Sequence, residues 1–334
     1  MTMSTRTLGS TGPQVSALGL GCMGMSALYG GADRAESIAT IHAALEAGVT
    51  LIDTGDFYGM GHNELLIGEA LRTAPAARRE QALVSVKFGA LRAPDGGWSG
   101  YDARPAAVKN FAAYSLQRLG VDHIDVYRPA RLDPDVPIEE TVGAIAELIE
   151  KGYVRYVGLS EVGAETIRRA AAVAPVADLQ IEYSLISRGI EAEILPVTRE
   201  LGISVTAYGV LSRGLISGHF SADRQLAADD FRAHSPRFQG ENLRHNLNLV
   251  EALREVAERR GVSVAQTAIA WVLSRGEDIV PLVGARTRER LAESLGALDV
   301  TLDAADLAAI EEAVPAGAAA GERYAAAQLA QVER

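Results

Sequence analysis

Short apolar runs alternate with longer amphipathic stretches along most of the chain. The apolar runs are typical of strands buried on both faces, and the longer stretches repeat their apolar positions with the period of a helix. Strands are predicted near residues 17–21, 49–53, 82–87, 123–128, 153–159, 177–182, 203–207 and 278–283. Helices are predicted near residues 34–47, 63–73, 105–119, 138–151, 163–173, 190–201, 263–275 and 287–297.

The order of these elements predicts the fold class. Eight strands with helices between them and after the last are the pattern of a (β/α)8 TIM barrel, an α/β fold. Residues 6–18 contain two short runs around a Thr-Gly-Pro turn, which predicts a β-hairpin that caps the N-terminal end of the barrel. We expect one domain over residues 1–334.

Two regions depart from the alternation. Residues 208–245 form a connection that is too long for an ordinary loop, which indicates a functional role. An extra helix is predicted near residues 246–260, and residues 303–334 contain a further helical segment followed by an alanine-rich end. We expect that end, residues 316–334, to be partly mobile.

Composition and charge narrow the possible partners. The chain has 334 residues, of which 48% are apolar, and its formal net charge is −11. This charge argues against nucleic acid or an anionic membrane as a partner, and no apolar run reaches the roughly 18 residues that a membrane helix needs. Cys22 is the single cysteine, so an internal disulfide cannot form. We expect a soluble cytoplasmic protein, with a monomer as the default oligomeric state.

A glycine motif near the first strand has two interpretations. Gly19 to Gly24 match G-x-G-x-x-G after a strand, and Asp53 ends the next strand, as in a Rossmann dinucleotide site. However, residues 25–31 separate the motif from the next predicted helix, so a pyrophosphate would find no helix N-terminus there. We therefore favour a glycine-rich loop that another group can approach closely.

Three polar residues at neighbouring strand ends indicate a proton donor. Asp53 ends one strand, Tyr58 follows it, and Lys87 ends the next strand. A nearby ammonium lowers the pKa of a phenol from its usual value near 10, and a carboxylate can hold that ammonium in place. Such a phenol suits protonation of the oxyanion formed by hydride transfer to a carbonyl. A buried ion pair beside a wall tyrosine fits the same spacing.

Several motifs together resemble the aldo-keto reductase superfamily. They follow one another in order from the predicted hairpin to about residue 300, and the branch that they most resemble includes pyridoxal reductase-like and perakine reductase-like enzymes. The motifs are GLGCMGMS (19–26), DTGDFYG (53–59), GHNELLIGEAL (61–71), KFG (87–89), VRYVGLSE (154–161), QIEYS (180–184), AYGVLSRG (207–214) and VPLVGAR (280–286).

The resemblance implies a (β/α)8 barrel with a nicotinamide cofactor across its C-terminal mouth. It also implies that Tyr58 is the general acid and that Lys87 and Asp53 support it. By position, Ser160 and Gln180 would hold the carboxamide and Tyr208 would stack on the ring. The whole set of implied cofactor residues is Gly21, Cys22, Met23, Asp53, Ser160, Gln180, Tyr208, Gly209, Leu211, Arg213, Gly214, Gly284, Arg286, Arg290, Glu293 and Ser294.

The arginines near the last strand bear on the choice of cofactor. Arg286 and Arg290 would meet the adenosine end, where charge-assisted bonds to a 2′-phosphate favour NADPH over NADH. Because Arg288 lies between them, a solvated charged helix face is the alternative interpretation. Two further departures from the family pattern, Glu161 after Ser160 and a serine at position 294, could weaken cofactor contacts.

One departure concerns the chemistry itself. Where the family usually has a histidine before the arginine that follows strand four, this chain has Ala130, which cannot polarise a carbonyl. With Tyr58 and Trp98, Ala130 is expected in the substrate pocket. The histidines present show no metal-ligand spacing, so no metal site is expected.

The predicted function is therefore NADPH-dependent reduction of an aldehyde or ketone to an alcohol. One alternative is a dehydrogenase that oxidises an alcohol, sugar or pyridoxal-like compound. Another is a nicotinamide-sensing module with slow chemistry, which the missing histidine keeps open. The sequence does not identify the carbonyl substrate.

Overall fold

A closed barrel of parallel strands forms the centre of the protein. The computed structural model describes residues 3–26, 28–227 and 230–333. The strands are β1 (Thr5–Thr7), β2 (Gln14–Ser16), β3 (Gly19–Gly21), β4 (Leu51–Gly55), β5 (Leu83–Phe88), β6 (Ala90–Arg92), β7 (Trp98–Tyr101), β8 (Ile124–Pro129), β9 (Val154–Ser160), β10 (Val176–Glu182), β11 (Ser204–Tyr208) and β12 (Ile279–Gly284).

Helices surround the barrel and continue beyond its last strand. Short 3-10 turns lie between several of them. The α-helices are α1 (Arg34–Glu46), α2 (His62–Thr73), α3 (Ala76–Arg79), α4 (Pro105–Leu119), α5 (Ile138–Glu150), α6 (Ala164–Ala171), α7 (Ile194–Glu200), α8 (Gly240–Arg259), α9 (Val264–Leu273), α10 (Arg288–Leu295), α11 (Ala304–Ala313) and α12 (Ala326–Leu329).

The barrel strands pair in chain order. The sequence of neighbours is β3, β4, β5, β8, β9, β10, β11 and β12, and β12 pairs in parallel with β3 to close the barrel. This topology confirms the predicted (β/α)8 fold, and the predicted strands are all present. Because parallel strands need helical crossovers, both faces of each strand are covered and the strands are nearly continuous apolar runs.

The N-terminal hairpin covers the lower end of the barrel. Strands β1 and β2 pair antiparallel. Leu8 follows β1 and Val15 lies in β2, and both are fully buried against Leu51 and Val280 in the barrel interior. The backbone N–H of Gly9 donates to Ser204 Oγ over 2.7 Å, which fixes the hairpin to the start of β11. The predicted hairpin cap is therefore confirmed.

Two helices differ from their predicted bounds. The helix predicted near 190–201 is a 3-10 turn at Gly189–Glu191 followed by α7, because Pro196 has no N–H to continue a helix through this region. The extra helix α8 begins at Gly240, ahead of its apolar pattern. Its polar first turns are fixed by tertiary contacts, such as the 2.7 Å hydrogen bond between His245 Nε2 and the Ala318 carbonyl.

A polar layer lies inside the barrel above the apolar floor. Arg128 and Asp178 are fully buried, and their nearest charged atoms are 3.1 Å apart. Gly158 leaves the room for this pair, because a Cβ there would lie 2.8 Å from Asp178 Oδ1 and 3.0 Å from Arg128 Nε. Arg128 is in register with Lys87 on the neighbouring strand, and Asp178 is in register with Gly158, two residues before Ser160.

Candidate active site

A buried ion pair joins two of the predicted site residues. Asp53 on β4 and Lys87 on β5 point into the barrel, and Lys87 Nζ lies 2.5 Å from Asp53 Oδ1. The other carboxylate oxygen of Asp53 accepts from Ser85 Oγ over 3.0 Å and from Gln180 Nε2 over 2.7 Å. Both carboxylate oxygens of Asp53 are therefore paired, by two groups from β5 and one from β10.

Tyr58 lies at the mouth of the barrel above this pair. It follows β4, is 7% exposed, and packs edge-on against Phe57 with ring centroids 4.8 Å apart. Lys87 Nζ lies 5.2 Å from the centre of the Tyr58 ring. Within the described chain the Tyr58 hydroxyl has no hydrogen-bond partner, so it is available to a molecule in the cavity.

The electrostatics of Tyr58 differ from the simple expectation that an ammonium acidifies it. Burial, followed by the negative charge of Asp53, raises the pKa of Tyr58 well above its usual value, whereas Arg131 lowers it. Burial likewise lowers the pKa of Lys87, and Asp53 opposes that shift. The expected lowering of the Tyr58 pKa is thus reversed, because burial destabilises the phenolate by more than the nearby cations stabilise it. Tyr58 is a neutral phenol at physiological pH.

One cavity connects most of the predicted site residues. It has a volume of about 750 Å³ and runs across the C-terminal mouth of the barrel. The predicted residues that line it are Gly21, Met23, Asp53, Tyr58, Lys87, Trp98, Ser160, Gln180, Tyr208, Gly209, Leu211, Arg213, Gly214, Gly284, Arg286, Arg290, Glu293 and Ser294.

Two predicted residues lie elsewhere. Cys22 is fully buried in the hydrophobic core between the strands and helices, where burial raises the pKa of its thiol. Ala130 follows β8, is 2% exposed, and donates its backbone N–H to the Phe88 carbonyl over 2.8 Å. Neither side chain lines the cavity. The Cys22 side chain points into the core, and the short Ala130 side chain does not extend into the cavity.

The three clustered arginines point in different directions. Arg286 lines the cavity and donates through Nη1 to the carbonyl oxygens of Tyr29 and Gly31, over 3.0 and 3.2 Å. Arg290 also lines the cavity, with Nη1 3.0 Å from Glu293. Arg288 instead forms an exposed pair with Glu36 outside the cavity. Only part of the charged run is therefore a solvated face.

The connection after β11 carries cationic groups into the middle of the cavity. Arg213 has φ 58°, in the left-handed region, and its Nη2 lies 3.2 Å from Glu182 Oε2. Arg213 Nη1 and Ser212 Oγ are buried without a hydrogen-bond partner in the described chain. Arg213 lines the cavity whereas Ser212 does not, so the cationic group that this loop offers to an anion such as a pyrophosphate is the Arg213 guanidinium.

Sequence reasoning missed a network that the C-terminal segment completes. Arg323 forms a bidentate ion pair with Glu161, and Tyr208 Oη donates to the same carboxylate over 2.7 Å. The Tyr324 hydroxyl lies 2.8 Å from that of Tyr208 and accepts from Arg131 Nη2 over 3.2 Å. Glu161, expected to disturb cofactor contacts, is thus the anchor of this segment.

A sequence signal existed for only part of that network. Arg131 directly follows Ala130 at a strand end, the place where barrels carry their chemistry. Tyr324 lies in the alanine-rich end, where no periodicity marks it. The partial mobility expected of residues 316–334 stays a prediction, although the segment is tied down at Tyr101 by Gln331 and at Gly163 by Glu333.

Comparisons with known proteins agree with this geometry. The model of the "Aldo/keto reductase family" matches residues 17–315. The chain belongs to this family. It is 44% identical over 320 residues to probable aldo-keto reductase 1 of Glycine max, with 95% of this chain and 90% of that protein covered.

Solved structures of the family have the same fold. Glycerol dehydrogenase of Gluconobacter oxydans superposes with a TM-score of 0.85 at 32% identity, covering 94% of this chain and 95% of that one. The holo form of an aldo-keto reductase from Bacillus halodurans gives a TM-score of 0.76 at 28% identity, with 94% and 97% covered.

Family membership fixes the general chemistry. This aldo-keto reductase is an oxidoreductase that acts between small carbonyl compounds and alcohols with a nicotinamide cofactor. Among the described helices, none combines the length and apolar character needed to cross a bilayer.

Asp56, two residues before Tyr58, is a partly buried acid whose pKa is raised. Its Oδ1 atom has no hydrogen-bond partner in the described chain, and burial followed by the charge of Glu64 raises the pKa of Asp56 to about 8. Between the ordinary pKa of an aspartate carboxyl and about 8, Asp56 is therefore protonated in the folded state and ionised in the unfolded state. That stabilisation is complete at low pH and is lost as the pH rises through 8.

We expect Asp56→Asn to flatten this pH dependence. The wild-type melting temperature should fall as the pH rises from the ordinary pKa of the carboxyl to about 8 and then level off, because unfolding releases the Asp56 proton over this range, whereas the amide does not titrate. Thermal unfolding measured across this range tests it. Asp122→Asn, at an exposed carboxylate, is the control. Equal slopes for wild type and Asp56→Asn would contradict the assignment.

Proposed function

We propose that this aldo-keto reductase reduces an aldehyde or ketone to an alcohol with NADPH. The observation that carries the proposal is that one cavity is lined by Tyr58, whose hydroxyl has no hydrogen-bond partner among the described residues, by the buried pair of Asp53 and Lys87, and by Arg286 and Arg290. A proton donor, a cationic support and a site for a phosphorylated cofactor thus share one space.

Tyr58 would deliver the proton. Its raised pKa keeps the phenol protonated, so the proton leaves only when a strongly basic alkoxide develops on the substrate. A bound nicotinamide supplies the hydride that creates this alkoxide. Lys87 would stabilise the resulting phenolate across the 5.2 Å that separates its ammonium from the ring. Asp53 would hold Lys87 in position, since a buried ammonium needs a counter-ion.

The residues along the cavity fit the parts of a dinucleotide. The carbonyl oxygen of the Gln180 amide is left over after its Nε2 donates to Asp53, so with Ser160 it could hold a carboxamide, and Tyr208 could stack on the ring. The Arg213 guanidinium, which lines the cavity, suits the pyrophosphate. We expect the other predicted cofactor residues to line this path, except Cys22, whose side chain lies in the core.

Two alternatives rest on specific observations. The similarity to glycerol dehydrogenase favours an enzyme that runs in the oxidative direction, and the same residues would serve it with Tyr58 as the base. The alanine at position 130 favours a slow cofactor-sensing module. For either function we expect a cytoplasmic protein, with a monomer as the default.

We expect Tyr58→Phe to lower kcat by roughly 100- to 10,000-fold, the usual contribution of a general acid. NADPH affinity, followed by fluorescence titration, should stay within about threefold, because the hydroxyl serves the substrate rather than the cofactor. Single-turnover oxidation of bound NADPH by an aromatic aldehyde measures the step directly.

Tyr101→Phe is the matched control, since Tyr101 also lines the cavity but its hydroxyl is bonded to Gln331 over 2.9 Å. Full activity of Tyr58→Phe would refute the mechanism. Tight NADPH binding without turnover in the wild type would favour the sensing module instead.

We expect Arg286→Gln to raise KM for NADPH by roughly 10-fold or more, because a charged hydrogen bond to the 2′-phosphate is lost. KM for NADH should change much less. Arg288→Gln is the control, since Arg288 belongs to the same run but pairs with Glu36 outside the cavity. Equal effects of Arg286→Gln on both cofactors would argue against a 2′-phosphate site.

We expect Ala130→His to improve kcat/KM for small aldehydes and to worsen it for bulky ones. A histidine would supply the missing hydrogen-bond donor, worth on the order of 2.7–4 kcal/mol when well oriented, but would fill space beside the substrate. Ala130→Leu adds volume without a donor and separates the two effects. A rise for every member of a carbonyl panel would exclude a role of Ala130 in selectivity.

A further inference from the structure

We propose that Arg131 binds a carboxylate group on the substrate, so that the preferred carbonyl compounds of this enzyme are carboxylate-bearing aldehydes or ketones. The inference rests on the proposed reductase function and names the substrate class of the same cavity. Arg131 would determine specificity, while Tyr58 would perform the proton transfer.

Arg131 is positioned beside the proton donor. It follows β8 directly and lines the cavity together with Tyr58, Trp98 and Tyr101. Its Nη1 donates to the Ala130 carbonyl over 2.6 Å, and its Nη2 donates to Tyr324 Oη over 3.2 Å. A guanidinium has five N–H donors, so several remain after these two bonds. Its Nε has no hydrogen-bond partner among the described residues and is not buried, so this donor is accessible in a residue that lines the cavity.

A chain of hydrogen bonds holds the guanidinium in place. Tyr208 donates to Glu161, so its oxygen accepts from the Tyr324 hydroxyl, which in turn accepts from Arg131. The chain ends on a buried carboxylate that Arg323 also binds. Arg131 is thus oriented before any substrate arrives, which reduces the entropy lost on binding.

The charge of Arg131 has no direct counter-ion in the described chain. The two buried carboxylates at this side of the cavity are already paired, Glu161 with Arg323 and Glu182 with Arg213. Arg131 forms no salt bridge with any described residue. A partly buried, unpaired cation is costly, and a planar carboxylate matches the fork of a guanidinium in two parallel bonds.

A carboxylate fits better than a phosphate. Arg131 presents one positive charge at this end, which neutralises a monoanion but leaves a phosphate dianion half-compensated. Tyr58 and Trp98 each pack edge-to-face with Phe57, and all three rings line the same cavity as Arg131, so the body of the substrate would be apolar. An aromatic or aliphatic aldehyde with a carboxylate at its far end combines both properties.

The test compares an acid with its neutral methyl ester, and the Arg131 variants separate the effect of charge from that of the added methyl group. We expect wild type to prefer 4-carboxybenzaldehyde over methyl 4-formylbenzoate, and Arg131→Gln to lower kcat/KM for the acid by roughly 10- to 100-fold. The neutral ester should change less than about threefold. Arg131→Lys should recover part of the activity, because it keeps the charge and loses the fork. The exposed Arg72 supplies the control Arg72→Gln, which changes net charge equally and should leave the preference intact.

Two results with aldehyde substrates would overturn the inference. Equal loss for the acid and the ester would mean that Arg131 acts on the reacting carbonyl. A larger loss for 4-formylphenyl phosphate than for the carboxylate would assign the site to phosphate. If no aldehyde is turned over, the proposed function fails. The carboxylate site can then be tested by binding alone, by comparing the thermal stabilisation of the NADPH-loaded protein by benzoate with that by benzamide. Stabilisation by benzoate that Arg131→Gln abolishes would support a carboxylate site, and no difference between the two ligands would refute it.

Discussion

The ion pair between Asp53 and Lys87 is the interaction on which the site depends. Burying each charge costs on the order of several kcal/mol, and this is offset only when both ions are paired and hydrogen-bonded. The register of β4 and β5 sets Asp53 beside Ser85 and Gly55 beside Lys87, so both side chains enter the barrel. A slip of one residue in either strand would turn a charge into the apolar layer beneath the helices.

Closure of the barrel arranges the chemistry in layers. The hairpin and Val280 form a dry floor, Arg128 and Asp178 form an ionic layer above it, and the pair under Tyr58 forms the next. In a closed barrel alternate strands contribute the side chains of each layer, so the layers stay aligned without loops. The loops are then free to define what binds above, and the mouth of the barrel holds both the cavity and its cationic groups.

The sequence predicted the barrel well because buried parallel strands are continuous apolar runs and their ends are marked by unusual polar residues such as Asp53 and Lys87. It predicted the polar first turns of α8 poorly, since tertiary contacts rather than periodicity define that start. Cys22 was assigned to the cofactor by its motif, and only the fold shows that its side chain turns into the core. Tyr324 had no local signal, because its position depends on Arg323 pairing with Glu161, residues far apart in the chain.

The attachment of the C-terminal segment has an evolutionary consequence. Arg323 and Tyr324 reach the cavity from outside the barrel strands, whereas the proton donor and its supports belong to β4, β5 and the loop after β4. Substitutions in the segment can therefore accumulate without disturbing the strand register that the ion pair requires. A change in this segment would alter one wall of the cavity and leave the proton donor in place, and residues that anchor the segment, such as Glu161 and Tyr101, would have to change with it.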